Sequence, residues 1–260
     1  MMSFTDTWAP RQEPPAVDER LVAPGARYEI EDGRVVYVPP ADEPHAARHA
    51  KLGVLVDAHR AEGYAVAVDM LTRTSRIDDI APDVSLYPAA RDPRTGGRRL
   101  EELAFDVAST ESLAHAGARA AKLVARGVRR VFAIDVERSR ALEWSRELGQ
   151  WSILDRRGKI EDPALAVAIP IEAMLEAARA DDAVVRAWRA KRHPEFLAER
   201  AEGEARGLVT ALLLVLSARG LEATAAERSR ILEERDLSRL ERWIVAAANC
   251  ADVAALFAVP

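Results

Sequence analysis

LAFDVASTESLAHAGARAAKLVARGVRRVFAID, residues 103–135, is the stretch that decides the fold. LAFDVAST reads as a buried strand in which one acid, Asp106, stands among apolar neighbours. ESLAHAGARAAKLVARG reads as a helix of alanines and leucines closed by Gly127, and VRRVFAIDV as a second buried strand. Ser109 or Thr110 opens the helix and Glu111 stands in its first turn, the cap oxygen and negative charge that a helix N-terminus favours. Downstream, RALEW and WSILD flank SRELGQ as a hairpin, with Trp144 and Trp151 near the turn. Upstream, IAPDVSLYP sets Val84 and Leu86 on one face of a short strand, and AVAVDM after Gly63 is another strand candidate. HAARHAKLGVLVDAHR, residues 45–60, brings Leu52, Leu55 and Val56 to helical spacing. Order begins at RYEI, where Asp32-Gly33 is a hairpin signal leading into RVVYV before Pro39-Pro40. Pro93, Gly96 and Gly97 make Arg91 to Arg99 a loop. Strands alternating with helices predict an α/β (α+β) domain, a mixed sheet flanked by helices.

Three regions follow. Pro10, Pro14, Pro15 and Pro24 among polar residues mark residues 1–25 as a poorly ordered lead-in. Residues 26–165 carry the α/β domain. After Pro163 leucine, alanine, arginine and glutamate recur at helical spacing, so residues 166–260 read as an all-helical region. With Lys+Arg 37 against Asp+Glu 42 the formal net charge is −5, which excludes a globally cationic protein. A nucleic-acid contact must then use a local patch. The longest apolar-looking run, Leu208 to Leu216, falls well short of the roughly 20 residues of a membrane crossing. A single cysteine, Cys250, forbids an internal disulfide and a cysteine-based zinc site. With no basic-then-apolar leader, the expectation is a cytoplasmic protein.

The chemistry centres on Pro82-Asp83 and, twenty-three residues later, Asp106. An aspartate in a segment that wants burial costs several kcal/mol unless it is paired, hydrogen-bonded or bound to a cation. Two at adjacent strand ends can converge on one hard cation such as Mg²⁺. Such an ion activates water and neutralises a phosphate under attack. A turn or loop-cap role for each aspartate is the competing reading. Arg119, Lys122, Arg126, Arg129 and Arg130 form a cationic run around Gly127 that suits a phosphate backbone, or simply a solvated face. Arg94, Arg98 and Arg99 flank Gly96-Gly97, which matches no nucleotide fingerprint. His45 and His49 stand at i and i+4, a zinc-type spacing without the usual intervening glutamate, so a surface or helix-start role is the default. Ser109 lacks a nucleophile elbow.

The order YEIEDGRVVYVPP, a histidine-bearing helix, APDVSLYP, LAFDVAST, a helix ending in RGV, then VFAID resembles the Uma-two restriction-endonuclease family of the PD-(D/E)xK nuclease superfamily. The likeness covers about residues 26 to 155. It implies that Asp83 and Asp106 hold Mg²⁺ (or Mn²⁺). The family's lysine has moved to the following helix, and counting back eight residues from Gly127 reaches Arg119, with Lys122 on the same helical face. Glu29 and His49 (or His45) fall where the family often has an acid and a histidine. Two departures stand out: Asp106 replaces the usual glutamate, and Thr110 a common proline. An arginine at the lysine's place stabilises charge but cannot act as a base. Residues 199 to 258 loosely resemble the helical tail of some transposase-associated nucleases, which implies dimerisation or partner docking; a small bundle packing on itself is the plainer account.

The resemblance implies a metal-dependent endonuclease, a hydrolase acting on DNA, with Asp83 and Asp106 as metal ligands, Lys122 or Arg119 steadying the nucleophilic water, and Glu29 and His49 accessory. The rival is a degenerate nuclease fold kept as a nucleic-acid or protein binding module. A third reading makes the helical tail an adaptor and the α/β half its scaffold.

Overall fold

The computed structural model describes residues 28–38, 43–108 and 113–258. The lead-in, Pro39-Pro40 and the cap at Ser109 to Glu111 lie outside the described residues. The chain divides into two compact units, Met1–Lys191 and Arg192–Pro260.

The first unit opens with the Asp-Gly hairpin of Tyr28–Glu31 (β1) and Arg34–Tyr37 (β2). Asp32 at φ 50 and Gly33 at φ 77 take the left-handed pair of angles that a two-residue hairpin turn needs. The order continues with Glu43–His59 (α1), Tyr64–Val68 (β3), Thr72–Ser75 (β4), Asp78–Ile80 (β5), Val84–Pro88 (β6), Leu103–Ala108 (β7) and Leu113–Arg126 (α2). Arg130–Asp135 (β8), Arg140–Ser145 (β9), Gln150–Ile153 (β10), Lys159–Ile160 (β11), Ile169–Pro170 (β12), Ile171–Leu175 (α3) and Ala177–Ala190 (α4) complete it. Six strands form one sheet in the order β10-β9-β8-β7-β6-β3. Within it β7 and β8 pair in parallel, with α2 as the crossover, and the other pairings are antiparallel. A second, antiparallel sheet runs β2-β1-β5-β4.

Strand β7 shows how the sheet sorts its two faces. Leu103, Phe105 and Val107 pack into the core that holds Leu52, Leu55 and Val56 of α1 with Met174 and Leu175 of α3. Ala104 packs instead with Ala120, Leu123 and Val124 of α2. Side chains alternate along a strand, so Asp106 shares Ala104's parity and stands toward α2. Gly117 lets α2 approach the β9–β10 hairpin, since a Cβ there would lie 2.8 Å from the Trp144 ring.

The fold is the mixed sheet flanked by helices that the alternation predicted, followed by a helical region. Strands β4 and β5 are additional, because their sequences TRTS and DDI lack apolar alternation. Arg73 clamps Asp79 with two hydrogen bonds of 2.5 Å, and β4 and β5 bury this pair with Thr72 and Asp78, Ile80 being the apolar residue they give to the core. The units divide at Lys191, some way past the change of texture at Pro163, because Ala183 and Ala187 of α4 belong to the same core as Leu52 and Leu55.

The second unit holds Pro194–Ala218 (α5), Ala225–Glu233 (α6), Leu237–Ala247 (α7) and a closing 3-10 turn, Ala254–Ala258. Val209, Leu212, Leu216, Ile231, Leu240 and Trp243 form its core. Thr224 and Glu227 make a reciprocal capping box at the start of α6, and Asp236 caps α7 through the Arg239 amide. No helix among the described residues is long and apolar enough to cross a membrane.

Candidate metal centre

The antiparallel register that pairs Val84 with Phe105 sets Asp83 opposite Asp106 at the mouth of β6 and β7. The two residues are interlocked. The Asp83 carboxylate (Oδ2) accepts the Val107 amide at 2.6 Å, and the Asp83 amide donates to Asp106 Oδ1 at 3.4 Å. Asp106 is 6 % exposed, whereas the Asp83 side chain keeps 18 % of its surface. A buried carboxyl beside a partly exposed one sets oxygen donors where an ion can enter.

Helix α1 brings two imidazoles to the same place. Its i, i+4 spacing puts His45 and His49 on one face, with ring centroids 6.3 Å apart. His45 Nε2 lies 3.6 Å from Asp83 Oδ2. The His49 ring donates from Nε2 to the Asp83 carbonyl and stands 3.9 Å from an Asp69 oxygen. Asp69, at the end of β3, donates its own amide to that carbonyl at 3.3 Å and sits at φ 50. Arg48 anchors the helix by donating to the Leu175 carbonyl at 2.6 Å, and Lys51 pairs with Asp181 at 2.5 Å. One nitrogen from each histidine and one Asp83 oxygen lie within 4.8 Å of one another. Oxygen and imidazole donors so gathered are a fitting set for a divalent cation.

The other expected residues lie along α2. Arg119 donates to Glu29 and, at 2.9 Å, to the Ala81 carbonyl, while the Ala81 amide donates to Glu29 at 3.1 Å. Glu29 and Arg119 thus grip the chain two residues before Asp83. Burial pushes the Glu29 carboxyl above its usual range, against the pull of Arg119 and the Ala81 amide. Lys122 donates to Asp32 at 2.8 Å and to Asp78 at 2.6 Å. Burial opposes the charge of Lys122, yet the two carboxylates outweigh it and raise the ammonium pKa. Asp78 is likewise held low: burial works against its charge, and the Asp32 amide, Lys122 and Ser75 overcome it.

The structure therefore gathers Asp83, His49 and His45 at one strand mouth, links Asp106 to Asp83 through the Asp83 amide, places Glu29 and Arg119 behind the Pro82-Asp83 turn, and engages Lys122 at the β1–β2 turn. The cations after α2 are engaged too: Arg129 pairs with Glu102 and Asp162 at 2.5 and 2.7 Å, Arg130 with Glu143 at 2.6 Å, and Arg126 donates to the Arg73 carbonyl at 3.0 Å. In the Gly96-Gly97 loop, Arg98 meets Glu101 at 3.1 Å and the Thr72 hydroxyl at 2.8 Å. Asp69 is the neighbour that sequence reading passed over. Its signal was an acid closing the AVAVDM strand candidate.

A family profile described as "Putative restriction endonuclease", Uma2, matches residues 16–173. No curated protein matches the chain. Among solved structures, a crystal structure described as a putative nuclease belonging to DUF820 from Anabaena variabilis is similar, with 10 % identity and a TM-score of 0.47, covering 59 % of this chain and 90 % of that one.

Proposed function

The chain belongs to the Uma2 family of restriction-endonuclease-like proteins, and from that premise we propose that its first unit is a divalent-metal-dependent endonuclease hydrolysing phosphodiester bonds of DNA. The observation that carries the proposal is the interlocked pair of Asp83 and Asp106 at the mouth of β6 and β7. Bound there, Mg²⁺ or Mn²⁺ neutralises phosphate charge and makes a water more acidic. Asp83 and Asp106 would hold the ion, with Asp106 kept in place by the Asp83 amide. Arg119 is a positioning residue: with Glu29 it fixes Ala81, and through it the direction of the Asp83 side chain. A guanidinium cannot take up a proton, so a general base has to come from elsewhere.

Supercoiled plasmid and single-stranded DNA, each incubated with Mg²⁺ or Mn²⁺, test this directly. Cleavage by the wild type that Asp83→Ala abolishes supports the assignment. Equal cleavage by both proteins overturns it. A parallel RNA substrate decides the nucleic acid.

A second reading, a fold retained for binding alone, draws on the engagement of Arg119 and Lys122 by carboxylates, which leaves both cations committed. Gel shifts that weaken steeply with salt, without cleavage in any metal, would favour it. For the second unit, exposed Leu214 and Val245 support self-association or partner docking. Leu214→Glu with Val245→Glu should then lower the mass seen by light scattering. A single cysteine, Cys250, suits a reducing cytoplasm.

A further inference from the structure

We propose that His45 and His49 join Asp83 in holding the ion at this mouth, so that the centre selects a nitrogen-seeking transition ion (Co²⁺ or Zn²⁺) over Mg²⁺. The proposal rests on the metal-dependent reading above and adds the ligand set and the class of ion. Three donors, two imidazole nitrogens and one carboxylate oxygen, already lie within 4.8 Å of one another. Bonds from such donors to a transition ion are about 2.0–2.2 Å, so two of them span at most about 4.4 Å. The 3.6 Å between His45 Nε2 and Asp83 Oδ2 is a separation that one ion bridges with little movement.

The donors are also held from behind. Asp83 Oδ2 keeps its geometry through the Val107 amide, which leaves a second lone pair on that oxygen. The helix that carries both imidazoles is tied down by Arg48 on Leu175 and Lys51 on Asp181. Asp69 Oδ1 stands 3.9 Å from His49 Nε2 and adds a further carboxylate beside that donor. Mg²⁺ prefers an all-oxygen shell and parts reluctantly with its waters, whereas imidazole suits the later ions of the first row. The exchange His49 must make is local: it gives up its contact with the Asp83 carbonyl, which retains the Asp69 amide.

The test uses the full chain with each metal alone. Calorimetric titration is expected to show one Co²⁺ or Zn²⁺ per chain, bound at least about tenfold more tightly than Mg²⁺. His45→Ala and His49→Ala should each weaken Co²⁺ binding by at least about tenfold and change Mg²⁺ binding by less than about threefold. Should either variant fold poorly, the wild type answers alone: pulsed electron paramagnetic resonance of bound Mn²⁺ should reveal couplings from imidazole nitrogen. Absence of nitrogen coupling, or Co²⁺ affinity unchanged in both variants, overturns the proposal and leaves a carboxylate-only Mg²⁺ site. If the metal binds as expected while no nucleic acid is cut, the ligand set stands and the nuclease reading fails on its own.

Discussion

Two clusters of ionisable residues in the first unit are wired in opposite ways. Along α2, Glu29 meets Arg119 while Asp32 and Asp78 meet Lys122, so acids face full, permanent positive charges. At the mouth of β6 and β7, the Asp83 carboxylate meets an imidazole and a backbone amide instead. Amides neutralise no charge, and imidazoles do so only when protonated. The first cluster sets its acids against permanent cations, which braces the structure; in the second, an Asp83 oxygen and two imidazole nitrogens stand close enough together to suit a ligand ion.

The contrast is broken most forcefully by substitutions in opposite clusters. Asp83→Ala should lower cleavage on the order of a thousandfold, since it removes a metal ligand, while leaving the urea midpoint nearly in place. Arg119→Met should do the reverse in its larger effect. Glu29 would be left buried beside the Ala81 amide alone, a loss of about 3–5 kcal/mol in urea unfolding. If Asp83→Ala instead unfolds the protein and Arg119→Met only slows it, the roles of the two clusters are exchanged.

Lys122 sharpens the comparison with a smaller effect. Its side chain is 28 % exposed, and Asp78 keeps the Asp32 amide and the Ser75 hydroxyl without it. Lys122→Met should therefore cost about 1–2 kcal/mol, with cleavage changed by less than about threefold. A hundredfold fall in cleavage with unchanged stability would move Lys122 from the bracing cluster into the reaction.

The sequence showed the strand mouth better than it showed the wiring behind it. Pro82-Asp83 and Asp106 were legible because an acid in an apolar strand demands an explanation, and the β6–β7 register supplied one. The histidine spacing was legible too, but not its target, since Asp83 arrives from a distant segment. Arg119 and Lys122 looked equivalent on one helical face. Only the positions of Glu29 on β1 and of Asp32 and Asp78 on two hairpins decide which acid each cation meets. Strands β4 and β5 escaped for a similar reason: the Arg73–Asp79 clamp buries charge where a periodic reading looks for apolar residues.

The smallest expected effect lies outside both clusters and checks that the buried histidine beneath α1, not the charges of either cluster, governs the mild-acid behaviour of that helix. His59 at the end of α1 is 1 % exposed. Burial lowers its pKa from 6.5, the Leu55 carbonyl at 2.7 Å opposes the shift, and Lys191 and Arg186 add to it. Its neutral form is the one that folds well. The stability it contributes is therefore present above 6.5 and is lost as pH falls through its lower folded value, with a slope of at most about 1.4 kcal/mol per pH unit. Asp78 and Asp135, both lowered from 3.8, begin to lose their contributions only below that value. Glu29, raised from 4.5, has the opposite sign and gains on acidification. Hydrogen exchange of residues 43–59 between about pH 7.5 and about pH 5.5, corrected for intrinsic rates, isolates the histidine. Protection should fall in the wild type and stay level in His59→Gln. An equal fall in both would trace the acid sensitivity to the strand-mouth cluster, and the neutral imidazole beneath α1 would no longer be needed to explain it.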